Sequence, residues 1–281
     1  MQQTTSAPTE LLDKIALYAK MVDEALIGEL QNYLGSDFYE PLKYALEGGK
    51  RIRPIILLLS NRVAGGCEAD ALKEAVAVEL LHTESIIHDD IIDDETIRRG
   101  KPVFYVVYGF NTSLLTADFV FGIILSIVAR SKKDIAEDLA SAALQMCEGE
   151  ILEMKVEADD GEVPLEKYLL IVRKKTASLF EVAAKIGAKL ASADEKAVKA
   201  LSRYGVNIGI AYQIQDDILD WNNGSKIARR VKMGDGDAKK VLAEIASRYA
   251  NEAKMNLKDL PECEAKQILY DIADFAVNRL S

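Results

Sequence analysis

Apolar side chains return every three or four residues along nearly the whole of this chain, and that rhythm leaves little room for any architecture but helices. From Thr9 to Tyr33 the series Leu11, Leu12, Ile15, Tyr18, Met21, Val22, Ala25, Leu26 and Leu30 marks one face of an amphipathic helix. The same spacing predicts helices near 38–47, 54–64, 68–92, 112–130, 134–157, 164–190, 193–221, 237–258 and 262–280. No convincing alternating strand interrupts them. Breaks fall at Gly48-Gly49, Gly65-Gly66, Gly100-Lys101-Pro102, Asp160-Gly161, Asn222-Asn223-Gly224 and Gly234-Asp235-Gly236, where turn chemistry places them. All are short, and no linker or low-complexity tract divides the chain. The expectation is an all-α fold, a helical bundle forming one domain over residues 1–281.

Charge narrows the function. A formal net charge of -10 argues against nucleic acid as a partner, because phosphate-backbone binding relies on a basic face that releases counterions. Cys67, Cys147 and Cys263 are odd in number and lack CxxC spacing, so neither a disulfide framework nor a zinc site is expected and a reducing cytoplasm fits. The start, MQQTTSAPTE, lacks the basic-then-apolar order of a signal peptide. The longest strongly apolar run, Phe119 to Ala129, is too short to span a bilayer, so a soluble protein without an integral membrane segment is expected.

Two apolar helical stretches each end in aspartates: Ile87-His88-Asp89-Asp90-Ile91-Ile92-Asp93 and Ile214-Gln215-Asp216-Asp217-Ile218-Leu219-Asp220. Asp89 and Asp93 share a helix face, as do Asp216 and Asp220, with Asp90 and Asp217 beside them. Like charges at that spacing repel by a few tenths of a kcal/mol when solvated, roughly, and by much more when buried without a partner. A single acidic run most often ends a solvated helix. Two equally spaced runs, both closing helices too apolar for the surface, point instead to a bound cation. Hard oxygen ligands suit magnesium, which takes one or two carboxylates per ion and completes its shell with phosphate oxygens. Two facing clusters could hold a diphosphate between them.

Positive charge stands where such an anion would need it. Gly48-Gly49-Lys50-Arg51-Ile52-Arg53-Pro54 combines a flexible turn, cations and a proline suited to the first turn of the next helix. It is no P-loop, since GxxxxGK is absent, and Lys50 and Arg53 are its candidate ligands. Arg98-Arg99-Gly100 follows the first aspartates, and Arg173-Lys174-Lys175-Thr176 lies within an amphipathic helix. Each alone is as good a surface salt-bridge partner as a phosphate ligand. Together with magnesium they could neutralise two diphosphates.

With these residues assembled, the chain resembles the trans-prenyltransferase, or polyprenyl synthetase, family. The matching segments are GGKRIRP at 48–54, ELLHTESIIHDDIIDDETIRRG at 79–100, CEGE at 147–150, Lys175-Thr176, and GIAYQIQDDILD at 209–220. The resemblance implies an isoprenoid synthase fold with a central apolar cavity. It assigns isopentenyl diphosphate to Lys50, Arg53, His82 and Arg99. Magnesium on an allylic diphosphate falls to Asp89, Asp93 and Asp216, joined by Asp90, Asp217 and Asp220. Arg98, Lys175, Thr176 and Gln213 would contact that second diphosphate, and Asp89, Asp93, Lys175 and Asp216 would carry the catalysis. Taken singly, His82 would serve as a satisfied core histidine and Gln213 as a cap on polar groups within the bundle.

The chemistry implied is ionisation, condensation and elimination, with no protein nucleophile, in a homodimer. Residues a turn or more upstream of Asp89 would set product length. Here they are Ser85 and Glu84, and the bulky aromatics of short-product relatives are absent. Glu84 is an odd lining for an apolar tunnel unless it is turned away or paired. The family's Gly-Lys and Gly-x-Asp elements after the second cluster are replaced by WNNGSKIARRVKMGDGDAKK, in which Lys226 or Lys232 would have to substitute. A related terpene cyclase is the first alternative, disfavoured because its second metal motif normally resembles NSE and because Lys50, Arg53 and His82 serve a second diphosphate. A non-catalytic subunit is the second alternative, although such subunits usually lose their aspartate clusters.

Overall fold

Helices begin after nearly every predicted turn. The computed structural model describes residues 7–98, 100–221, 227–232 and 237–278. The order is α1 (Ala7–Leu30), α2 (Tyr39–Leu46), α3 (Ile52–Val63), α4 (Leu72–Ile92), α5 (Phe104–Tyr108), α6 (Phe110–Arg130), α7 (Ala136–Glu157), α8 (Leu165–Val172), α9 (Ser178–Leu190), α10 (Glu195–Leu219), α11 (Ala238–Leu257) and α12 (Glu264–Asn278). A π-helical turn, Arg173–Ala177, joins α8 to α9. Among the described residues the only named strands are Ile97–Arg98 and Lys101–Pro102, a small antiparallel hairpin just after the first aspartates. Val163 and Val231 add an isolated bridge. The fold is all-α, as the periodicity predicts.

Position in the bundle follows from how much of each helix is apolar. Helix α3 carries Ile55, Ile56, Leu57, Leu58 and Leu59 in unbroken sequence, so no face of it can meet water, and all five are fully buried. It packs on α9, which also abuts α10, α7 and α4. Helix α4 is buried continuously from Glu74 to Leu81, its Glu74 and Glu79 included, and becomes partly accessible again from His82 onward. Helix α10 likewise buries Leu201 to Ile214 with few gaps before reaching Asp216. The apolar parts of α4 and α10 therefore anchor them in the core, and their aspartate ends emerge from it.

Helix α6 differs from its sequence-based reading. It is long and apolar enough to cross a membrane by length and composition, because the helix runs well beyond the Phe119–Ala129 segment. One side, including Ala117, Val120, Ile123, Ile124 and Ile127, packs into the bundle against α4. The other side leaves Phe110, Leu114, Leu115, Phe121 and Leu125 exposed, and α7 exposes Leu144, Ile151 and Met154.

Candidate active site

The glycine-rich turn before α3 is held open by backbone conformation. Gly48 and Gly49 have φ of 79° and 111°, and Arg51 itself sits in the left-handed region at φ 52°, costly for a side chain with a Cβ. Its guanidinium is fixed by Glu79 of α4 at 2.7 Å, Asp23 of α1 at 2.8 Å and the Leu46 carbonyl. Arg51 and Glu79 are both buried, and breaking such a pair costs about 3–5 kcal/mol. The sequence singles out Lys50 and Arg53 of this turn as candidate ligands, and Arg51 between them is the lock that sets the other two.

Arg53 points inward. Its guanidinium lies 4.6 Å from the centroid of the Phe180 ring and its Nη1 donates to His82 Nε2 at 3.0 Å. Arginine can only donate, so that geometry needs a neutral imidazole with its proton on Nδ1. Burial lowers the affinity of Arg53 for its proton, and Glu79, Tyr212, Asp216 and Asp89 oppose that effect. Both aspartate clusters are thus within electrostatic reach of one guanidinium. The Nε of Arg53 is buried with no hydrogen-bond partner among the described residues, a donor facing a region that holds two sets of acids. Lys50 is exposed on the same turn.

The remaining wall is built around the π turn. Gly149 of α7 lets the backbone of Lys175 come so close that a Cβ there would overlap it, and Gly209 of α10 would place a Cβ 2.7 Å from Ala177 Cα. Two helices therefore clasp the turn, and π segments of this kind commonly present side chains at functional sites. Lys175 Nζ lies 2.5 Å from Glu150 Oε2, 2.5 Å from Glu153 Oε2 and 4.0 Å from Asp89 Oδ1. Burial would lower the pKa of this ammonium, but Asp89, Glu153 and Glu150 outweigh it and hold it above the ordinary lysine value. Next door, Thr176 donates to Gln213 Oε1 at 2.9 Å, and Gln213 donates to Asp217 Oδ1 at 3.0 Å. A continuous polar chain thus links α4, α7, the π turn and α10.

The two clusters repeat one division of labour. In each, the second aspartate is buried and occupied by the protein. Asp90 accepts from Arg98 Nε at 2.6 Å, and Asp217 accepts from Tyr168 at 2.5 Å on one oxygen and from Gln213 on the other. Burial raises Asp217 to about 7, against the pull of those two hydrogen bonds. Asp89 and Asp216 are half-buried, while Asp93 and Asp220, one turn on, are exposed at the helix ends. Burial pushes Asp89 upward, Lys175 opposes it and Asp93 adds to it. The geometry therefore gives Asp90 and Asp217 positioning contacts in place of open coordination. Arg98 gives its Nε to Asp90. Arg99 and Lys226 lie outside the described residues. Lys232 is exposed and paired with Glu162 at 2.8 Å.

No three His, Cys, Asp or Glu side chains among the described residues form a ready-made metal cage. Magnesium commonly takes only one or two carboxylates per ion and completes its shell with phosphate oxygens, and Asp89, Asp93, Asp216 and Asp220 carry oxygen donors of the kind it would need. Sequence reasoning quoted Glu150 within the CEGE segment without giving it a role, and it missed Glu153 and Tyr168 as parts of the site. The three-residue spacing of the glutamates, on the same helix face, was the available signal.

Among the described residues Glu84 is neither hydrogen-bonded nor matched by a firm counter-charge, since burial disfavours the charged form of its neighbour His88. Its carboxylate lies 3.9 Å from His88 Nδ1, and burial, reinforced by Asp118, raises it to about 7. A carboxyl held above its unfolded value of 4.5 binds its proton more tightly when folded, so it favours the native state in acid. That contribution is lost as pH climbs from 4.5 to about 7 and is worth about 3 kcal/mol at full extent. Urea denaturation across this range should show the loss in the parent protein and a flatter profile in Glu84→Gln. Parallel profiles would refute it.

The comparisons with known proteins bear directly on this geometry. The profile of the family described as polyprenyl synthetase matches residues 36–268. The chain belongs to the polyprenyl synthetase family. A short chain isoprenyl diphosphate synthase of Methanothermobacter thermautotrophicus is 33% identical, with 96% of this chain and 99% of that protein aligned. That alignment runs over 322 residues, more than this chain possesses, so the relative has internal stretches that this polyprenyl synthetase lacks. Among solved structures, a geranylgeranyl pyrophosphate synthetase from Pyrococcus horikoshii superposes with a TM-score of 0.87 at 30% identity, covering 96% of this chain and 99% of that one. A polyprenyl synthase from Caulobacter crescentus, complexed with calcium and isoprenyl diphosphate, gives a TM-score of 0.84 at 26% identity and covers 100% of both chains. This polyprenyl synthetase is an enzyme, a trans-prenyltransferase. The family generally works with a divalent metal.

Proposed function

We propose that this prenyltransferase condenses isopentenyl diphosphate head to tail with an allylic diphosphate, giving an all-trans prenyl diphosphate, within a single isoprenoid synthase domain over residues 1–281. The observation that carries the reading is the convergence of two aspartate clusters on Lys175-Thr176 and Arg53. Asp89 lies at 4.0 Å from Lys175, and Gln213 ties Thr176 to the second cluster. Arg53, through its unpartnered Nε, and His82 would bind isopentenyl diphosphate with the exposed Lys50 and with Arg99. Asp89, Asp93, Asp216 and Asp220 would hold magnesium, which supplies Lewis-acid stabilisation of charge on the leaving diphosphate.

The protein's own part is electrostatic. Lys175 keeps its proton and can follow the departing diphosphate with a full positive charge. Thr176 and Gln213 offer oriented polar groups beside it. Arg98 and Asp90 brace the end of α4, and Tyr168 with Gln213 braces Asp217 on α10, so both carboxylate sets keep their aim. Burial of the surrounding apolar residues excludes water from a reactive allylic cation. The test is incubation of the protein with magnesium, isopentenyl diphosphate and each allylic primer, followed by sizing of the products. Elongated linear products are expected. Cyclic hydrocarbon formed without isopentenyl diphosphate, or no turnover with any primer, would overturn the assignment.

The surface supports a reading of assembly and compartment. The exposed apolar faces of α6 and α7 flank Glu84 of α4, which is within electrostatic reach of Asp118 on α6 and Cys147 on α7. Phe121, Leu125, Leu144 and Ile151 would be covered by the same face of a second copy in a homodimer. Sedimentation velocity should give a dimer for the parent protein and a monomer for Phe121→Glu/Leu144→Glu; a parent monomer at micromolar concentration would refute it. All three cysteines are free and exposed, which suits the reducing cytoplasm.

A further inference from the structure

At the opposite end of α10 from its aspartates, the bundle carries a second feature that the prenyl-transfer chemistry does not use. A groove of about 850 Å³ opens between the C-terminal end of α3, the first turns of α10 and the segment joining α11 to α12. Lys199 and Asp216 are seventeen residues apart on one helix, so about 25 Å separates this groove from the aspartates.

Its charge runs against that of the molecule. In a chain of net charge -10, the groove is lined by Arg62, Lys196, Lys199, Arg203 and Lys258 against only Asp194 and Asp259. Both acids are already engaged. Asp194 caps α10 by accepting from Ala197 N at 2.7 Å, and Asp259 pairs with Lys196 at 3.3 Å. Lys199, Arg203 and Lys258 make no side-chain ion pair or hydrogen bond among the described residues, and although Arg203 also borders a cleft lined by Glu181 and Glu252, the lining of this groove keeps a surplus of positive charge. Such an arrangement costs free energy through mutual repulsion unless an anion joins it.

The wall is also pre-set. Lys266 is 1% exposed, a buried ammonium that donates to the Lys258 carbonyl at 3.1 Å, the Leu260 carbonyl at 2.8 Å and Glu262 Oε1 at 2.6 Å. Three bonds from one buried donor fix the connection that carries Lys258 and closes the groove. A ligand entering here would not have to order that segment first, which lowers the cost of binding.

We propose that this groove is a binding site for a phosphorylated anion, held by the Arg203 fork and the Lys199 and Lys258 ammonium groups. Arginine matches phosphate oxygens in pairs, and lysine adds charge that can follow the ligand. The anion has two possible sources, a soluble diphosphate such as prenyl transfer releases and the headgroup of an anionic lipid.

Hydrogen exchange read by mass spectrometry separates them, because it reports on segments 193–203 and 255–263 directly and does not depend on turnover. In EDTA at low ionic strength, inorganic diphosphate is expected to slow exchange in both segments if the soluble source applies. Phosphatidylglycerol vesicles, but not phosphatidylcholine vesicles, are expected to do so if the lipid source applies. In Lys199→Glu/Arg203→Glu the apparent affinity should fall by about tenfold or more, whereas Lys50→Ala should leave the protection intact. Prenyl transfer by the double variant at saturating substrate should match the parent. Absence of protection with both probes would overturn the proposal, as would protection unchanged by the double charge reversal or equal protection by neutral vesicles.

Discussion

Replacing Asp89 or Asp216 by asparagine is expected to lower kcat by about 10²–10³ while leaving the helical circular dichroism spectrum intact, the scale seen when one preorganised charge-stabilising group is removed. The two residues stand on helices that are otherwise anchored by largely buried stretches, Glu74 to Leu81 on α4 and most of Leu201 to Ile214 on α10. Losing one partly exposed carboxylate removes none of that anchorage. Burial raises the pKa of Asp89, so its ionised form is held at a cost, and its removal should leave stability unchanged or improve it. Stability and activity therefore part company, the usual mark of a functional carboxylate. The double variant should be little worse than either single one, because both act on one leaving group. Unimpaired turnover in either single variant would remove the assigned role. A loss of helix in parallel with activity would make the aspartates structural instead.

Asp90→Asn and Asp217→Asn should behave differently. Each of these side chains is buried against its own donors, Arg98 for the first and Tyr168 with Gln213 for the second. Sequence spacing alone treats the members of a cluster alike, since it records which face a residue occupies and not which partner reaches it. The same limit explains the glycine-rich turn. Its composition announces an anion site, yet nothing in GGKRIRP says that Arg51 turns away to meet Glu79 while Arg53 turns in. Helices were legible because their signal is local and repeated many times over. The site was legible where chemistry is concentrated in adjacent residues, as in both aspartate runs. It was hidden where distant residues complete it: Glu150 and Glu153 acquire meaning only once Gly149 and Gly209 draw α7 and α10 onto the π turn. The exposed side of α6 was hidden for a related reason, because an apolar residue looks the same in sequence whether it faces the core or a partner.

Lys175 offers the sharpest separation of roles, because in the proposed reading one ammonium would serve both the fold and the chemistry. It neutralises Glu150 and Glu153, each at 2.5 Å, and stands 4.0 Å from Asp89. Lys175→Met leaves two partly buried glutamates side by side without a counter-charge, and removing one partner from such a pair costs about 3–5 kcal/mol. Burial already raises both glutamates and Lys175 is what opposes it, so its loss drives them further up. Carboxyls raised above their unfolded values favour the native state only while protonated. The variant should therefore be least impaired in acid and lose stability steadily as pH rises through the glutamates' native values. Urea midpoints measured from pH 5 to pH 8 would show a widening gap between variant and parent. Turnover should fall by about 10²–10³ as well, since the charge that follows the departing diphosphate is gone. The two losses can be uncoupled: Glu153→Gln added to Lys175→Met should recover a large part of the stability, because it removes an uncompensated charge, but none of the rate. Recovery of rate together with stability would mean that Lys175 acts only by holding α7 to the π turn. Recovery of neither would mean that the glutamates are not its principal structural partners.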